Sequence, residues 1–548
     1  MIPIKILCGC GQKYAFDVEP VGGSVGQAVL CPVCASDGTT VANEIIAQHL
    51  ATQLAAPSEL RLREHYSPPP IPRPPPANPV AAPRTGSSGA VNGKRVVSAA
   101  LAGIVLLLAA AAAVWFGRGY LQKRGAAAPV PLANDGLPHT LNQLNAWYVE
   151  PPSGQNAAPF YCQGFDALQI DHGANLPLLG KGKLPPPAGT IPPPMKLAMA
   201  AFVQANRDAL QFFDQGATYE HCRYPVDLSQ GFDLLLPHLV KFRAALQSME
   251  LSAILHADEH EGKQAGRDLL IALALERSLD AEPSMLSQFI RASSIPIVAG
   301  TWEQIVNRTA LPRESLNELF NAFQKIEAYD ARGDGFNRAI ASERVMSLAI
   351  LERPEKLQQR LVAREPGLRV PEEQRKQLIA YLEKAPDLKE ERRYYEETFQ
   401  QLMAARTTAF PERLKNGELV GQHLKTAAER KLVLAEWLLP GFTAPAAREA
   451  NGLAHARLGL IAVALEQFRG AHENRYPSAL SELTPDFLPS TPPDPFDGQP
   501  LRYRKKGVGY VLYSIGADLK DDAGQRTNGK EGDIVFSVIR PPVERLAR

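Results

Sequence analysis

Two groups of residues in this chain have types and spacings suited to chemistry. Four thiols, Cys8, Cys10, Cys31 and Cys34, form a Cys-x-Cys pair and a Cys-x-x-Cys pair with twenty residues between them. Two thiolate pairs on two turns can present four sulfurs to one ion, and four sulfurs at tetrahedral reach suit Zn²⁺. A closed site of that kind has no open coordination position, so the zinc expected here holds a small fold together and catalyses nothing. The second group, His256-Ala257-Asp258-Glu259-His260, fits His-x-x-Glu-His, in which two histidines one helical turn apart hold zinc and the glutamate activates water. That reading makes the chain an extracytoplasmic zinc metallopeptidase. Against it, His256 continues an apolar stripe, the pentapeptide closes its helix just before Gly262, and a third acidic ligand is unplaced, Glu327 and Glu343 being two among many. A capping or core pair of histidines is the preferred reading, so no catalytic residue is assigned.

Other templates fail. Asp330-Ala331-Arg332-Gly333-Asp334-Gly335 starts like a calcium loop, but Arg332 and Ala341 stand where an EF-hand needs oxygen ligands. There is no Gly-x-x-x-x-Gly-Lys-Ser/Thr loop and no Gly-x-Ser-x-Gly elbow, which leaves phosphate and acyl chemistry without a home. Cys162 and Cys222 are either a disulfide, closing a loop of about sixty residues for ~4 kcal/mol, or two unrelated free thiols.

The elements that must position these residues follow from length and pattern. At 548 residues the chain exceeds what one hydrophobic core usually holds. The balance of 59 basic against 58 acidic side chains argues against a chain built to coat nucleic acid, and no nucleic-acid partner is expected. From Val96 to Gly117 the sequence has 22 residues without a charge, enough at 1.5 Å per residue to cross a ~30 Å hydrocarbon core, and it reads as an uncleaved transmembrane anchor. Flanking charges are tied on the two sides, so orientation rests on the cysteines: free thiolates in a reducing cytoplasm before the span, an oxidising compartment after it. Nine prolines in the sixteen residues Pro68 to Pro83 make a stiff spacer, and Pro185 to Pro194 holds a second cluster. Beyond that, Leu235, Leu239, Phe242, Leu246, Met249, Ala253 and His256 recur in steps of three and four as one helix face. Gln264 to Leu279 reads as an antiparallel partner helix, Ser284 to Val306 as a helix kinked at Pro296, and Leu316 to Ile326 continues the pattern. Further helices are expected over Pro371 to Arg406 and Gly417 to Leu438. After Ala444 a helix to about His472 gives way to short β segments.

Four resemblances add to this reading. Residues 1–40 resemble a zinc ribbon, with Tyr14, Phe16 and Val18 alternating before a Gly22-Gly23 turn, although the first pair is Cys-x-Cys where most ribbons have Cys-x-x-Cys. The helix pairs resemble tetratricopeptide-like hairpins. Arg457 to Val538 is similar to the soluble part of type II secretion major pseudopilins. The similarity is carried by Tyr476-Pro477, Leu480 to Leu488, Asp494-Pro495-Phe496-Asp497-Gly498 with Pro500 and Tyr503, and Tyr513-Ser514-Ile515-Gly516-Ala517-Asp518. It implies calcium held by Asp518, Asp521, Asp522 and Asp533. A solvated acidic loop is the alternative. The helix lies deep in the chain and Ala444-Pro445-Ala446 follows where an apolar fibre helix should begin, so the segment is expected to be a borrowed module. The whole arrangement resembles membrane proteins of planctomycete and verrucomicrobial envelopes.

The expectation is a multidomain chain: a small β zinc ribbon (1–45), a Pro-rich cytoplasmic linker (46–95), one transmembrane helix (96–117), an extracytoplasmic linker region (118–231), a mainly α region of helical hairpins (232–443) and an α+β pseudopilin-like domain (444–548). Its expected function is that of a single-pass scaffold in the bacterial cytoplasmic membrane, N-terminus cytoplasmic, that binds protein partners and is linked to secretion-like machinery.

Overall fold

A computed structural model describes residues 2–7, 13–18, 29, 136–171, 175–364, 370–384, 387–439, 445–526 and 532–540. The chain divides into two compact units, 1–111 and 112–548. In the first, β1 (Ile2–Leu7) pairs antiparallel with β2 (Lys13–Val18), with Ile4 opposite Phe16 and Ile6 opposite Tyr14. Lys13–Val18 pairs with the strand before it, Ile2-Pro3-Ile4-Lys5-Ile6-Leu7 offering the matching alternation, and the Gly22-Gly23 turn expected after it lies outside the described residues.

The second unit is helical with one small sheet. Its outer layer opens with α1 (Leu141–Trp147), α2 (Ala158–Ala167), α3 (Pro193–Ala205) and α4 (Arg207–Ala217), followed by a 3₁₀ turn at Leu228–Asp233. Thr140 starts α1 through a capping box, its hydroxyl accepting from Gln143 N while the Gln143 side chain accepts from Thr140 N. Next come α5 (His238–Asp258) and α6 (Gly262–Arg277), packed on each other, then α7 (Met285–Val306), which runs through Pro296, and α8 (Arg313–Arg332). Leu239, Phe242, Leu246, Met249 and Ala253 form the buried seam of α5. Leu235 lies before its first turn and is 71% exposed, because Pro237 opens the helix.

A second group of helices, α9 (Asp334–Glu352), α10 (Pro354–Ala363), α11 (Glu372–Glu383), α12 (Lys389–Arg406), α13 (Glu412–Glu429) and α14 (Val433–Leu438), closes around its own core of Phe336, Tyr394, Tyr395, Phe399 and Leu434. The last helix, α15 (Pro445–Ala471), leaves this group and packs against α7 and α8. Gly459 admits the Phe323 ring, where a Cβ would fall 2.5 Å from Cε1, and Gly452 meets Ile295. The sheet β3 (Arg502–Lys506), β4 (Gly509–Ser514), β5 (Ile534–Val538) is antiparallel with β4 in the middle. It docks on α7 through Glu303, whose carboxylate accepts from Ser537 N at 2.8 Å and pairs with Arg526.

The expected fold class is corrected by these elements. The described residues of the second unit form a mainly helical body with a three-stranded sheet, and the helix Pro445–Ala471 is part of the helical core. Among the described residues no helix is long and apolar enough to cross a membrane, and Val96 to Gly117, where a span was expected, lies outside them.

Candidate functional site

A dense group of buried charges surrounds the junction of α8 and α9, where Gly333 takes φ +75° and lets one helix follow the other without a loop. On one side Arg291, from α7, is a hub. Its Nε lies 2.6 Å from Asp280 Oδ1 and 3.1 Å from Glu276 Oε1, its Nη1 lies 2.7 Å from Asp330 Oδ1, and its guanidinium stacks over Tyr329. Arg291 is 2% exposed and Glu276 wholly buried. Burial lifts the Asp330 carboxyl to about 6 against the pull of Arg291, and holds Glu276 well above the usual carboxylate range. A buried group of this kind fixes geometry more than it adds stability, and removing one partner costs about 3–5 kcal/mol.

On the other side Arg406 from α12 and Arg413 from α13 converge on one carboxylate, Glu449 of α15. Arg406 Nη2 lies 2.8 Å and Arg413 Nη1 3.4 Å from Glu449 Oε1. Arg406 also donates to Gly333 O, and Arg413 to Thr408 O and Ala331 O. A Cβ at Gly333 would fall 2.6 Å from Arg406 Nη2 and 2.7 Å from Arg413 Nη1. Two cavities flank the junction and share Asn337. One, of about 430 Å³, is walled by Asp280, Tyr329, Asp334 and Arg338; the other, of about 370 Å³, by Arg332, Met403, Arg406, Thr408 and Arg413. These walls offer charge and hydrogen-bond donors, the equipment of binding.

The residues expected from sequence lie elsewhere. Cys8, Cys10, Cys31 and Cys34 lie outside the described residues. Among the described residues no group of three or more His, Cys, Asp or Glu side chains is placed to hold a metal ion, the C-terminal loop with Asp518, Asp521, Asp522 and Asp533 included. Several of the loop's carboxylate oxygens accept local bonds, while Asp533 Oδ1 is buried without a hydrogen-bond partner. Asp518 accepts from Lys520 N at 3.1 Å and Asp521 from Ala523 N at 2.8 Å and Tyr513 Oη at 3.1 Å; Asp533 accepts from Gly524 N at 2.7 Å, and Asp522 is half-buried beside them. The His-x-x-Glu-His motif is split by its helix end. His256 lies on α5, with Nδ1 2.8 Å from Asp268 Oδ2, an oxygen that also accepts from Ser252 Oγ at 2.7 Å. Glu259 caps the helix 3.7 Å from Lys196, and His260 follows in the left-handed region at φ +62°. The two histidines therefore do not share a helical face. Cys162 and Cys222 are free thiols, and burial pushes the Cys222 thiol up.

Sequence reasoning passed over Arg291, Arg406, Arg413 and Glu449. A signal for the first was present: α7 holds two charged residues in 22, Arg291 and Glu303, and both are buried and paired. Compared with protein-family models, with curated proteins and with solved structures, the chain has no match, so its function rests on the geometry alone.

Proposed function

We propose that this chain is a scaffold that binds protein partners. The observation that carries the reading is the segment Phe232-Asp233-Leu234-Leu235-Leu236-Pro237-His238-Leu239-Val240. There Phe232 is 37%, Leu235 71% and Val240 50% exposed, while Leu239 beside them is buried in the core. Large apolar side chains held outward on a fixed segment favour docking of another apolar surface. Val149, 72% exposed just after α1, adds to the same kind of surface. The apolar face of α15 is already covered by α7 and α8, which leaves the exposed segment at Phe232 to Val240 as the surface offered to a partner.

The test places a photo-crosslinking amino acid at Leu235 and, in a second variant, at the exposed Gln401 of α12. In its native host the first should yield one discrete adduct, identified by mass spectrometry and absent from the second. Adding Val240→Asp should remove the adduct while leaving the melting temperature within about 2 °C. Identical products from both positions, or none from either, would overturn the reading.

A further inference from the structure

The smaller cavity at the α8–α9 junction is electrically incomplete. Arg406 and Arg413, 5% and 3% exposed, bring two positive charges to the single negative charge of Glu449. The other nearby carboxylates are engaged: Asp334 pairs with Arg332 at 2.7 Å and Asp330 with Arg291. The Nη1 of Arg413 meets only a long ion pair, 3.4 Å from Glu449 Oε1, and has no hydrogen-bond acceptor at normal geometry, while Glu449 Oε2 likewise lacks a donor. A buried charged donor held only by a long ion pair lacks the hydrogen bonds that would offset its desolvation. Burial accordingly pulls the Arg413 guanidinium below the usual arginine range despite Glu449. No acidic side chain lines this cavity, and Met403, Ala331 and Ala409 give it apolar wall beside the guanidinium groups.

From this geometry we infer that the cavity between α8, α9, α12 and α13 is a binding site for the carboxylate of a small organic acid, held by Arg413 and Arg406 with its apolar part against Met403. A guanidinium presents paired donors that match a planar carboxylate, and one added negative charge balances the two arginines against Glu449. The volume of about 370 Å³ suits a small molecule and lies at the lower end of ligand pockets. This inference is independent of the protein-binding surface at Phe232 to Val240.

Thermal melting of the full chain tests it, titrated with butyrate, benzoate and inorganic phosphate, with chloride matching ionic strength throughout. A carboxylate should raise the melting temperature saturably, beyond the chloride control. Met403→Glu, which puts a tethered carboxylate at the cavity wall, should itself raise the melting temperature and weaken the added carboxylate by about tenfold or more. Arg413→Lys should fold and bind more weakly, because an ammonium lacks the paired donors. A response to phosphate alone would overturn the carboxylate assignment. An equal shift with chloride, or an unchanged carboxylate response in Met403→Glu, would overturn the site.

Discussion

Glu250 and His256, six residues apart on α5, set how stability changes with pH. Glu250 is 8% exposed, and burial raises its carboxyl to about 8 against the lowering effects of a hydrogen bond to Thr301 and the charge of Arg243. Its folded value stands above its unfolded one, so its contribution is fully present below about pH 4.5 and is lost as pH rises through about 8. Glu250→Gln, which keeps the neutral shape, should melt with the parent near pH ~5 and several degrees above it near pH ~9; coincident melting at both would show that ionisation there carries no cost. For His256, burial alone would lower the imidazole, but the hydrogen bond and charge of Asp268, with Glu261 and Glu259, raise it overall. The stability from this pair is present below about pH 6.5 and fades as pH rises through the raised value, so the melting deficit of His256→Gln should shrink between pH ~5.5 and ~8.5. The apolar stripe predicted that His256 would face a neighbouring helix. It could not identify Asp268 as the partner, because that contact depends on how α6 turns back at Gly262, and Glu250 shows no sequence sign of burial because charge on a helix usually marks its solvated face.

At the scale of elements, the α8–α9 junction gives the sharpest expectation. Gly333 combines a left-handed backbone with three charged atoms within 2.8 Å of where a Cβ would stand, so Gly333→Ala should cost about 2 kcal/mol or more in urea unfolding. Arg332→Ala, next to it and exposed, should stay within about 0.5 kcal/mol. Similar losses for both would mean that Gly333 is only a turn. The segment was visible in the sequence as glycine-rich and unfit for calcium, but its partners come from α7, α12, α13 and α15, spread from Arg291 to Glu449, and no local pattern encodes them. The loop from Asp518 to Asp533 shows the converse: spaced acids and glycines suggested an ion, while the backbone N–H groups of Lys520, Ala523 and Gly524 take up the same oxygens. Added calcium should leave the melting temperature of the full chain unchanged, and a saturable rise lost on Asp521→Asn would restore the ion.

For the whole molecule, the long helices on either side of Gly262, and α8 before Gly333, were legible because apolar residues at helical spacing name a buried face, whereas α9 after Gly333 was not read from the sequence. Which helix covers that face was not legible, since any amphipathic partner satisfies the same stripe. That is why α15 was expected to begin a separate domain, whereas Leu458, Ile461, Ala462 and Leu465 lie in the same core as Phe323 and Trp302. A chain truncated after Thr443 should therefore lose cooperative melting in residues 136–439 and expose apolar surface to a hydrophobic dye; a sharp transition in that fragment would show the two parts to be separable. The order of synthesis gives this packing a further meaning. At ~5–20 residues per second, roughly 5–25 s pass between the emergence of α8 and that of α15, and throughout that interval the seam of α7 and α8 faces solvent on the ribosome. Until α15 emerges, the apolar seam of α7 and α8 has no cover, and a chain stalled before residue 445 would carry that core open.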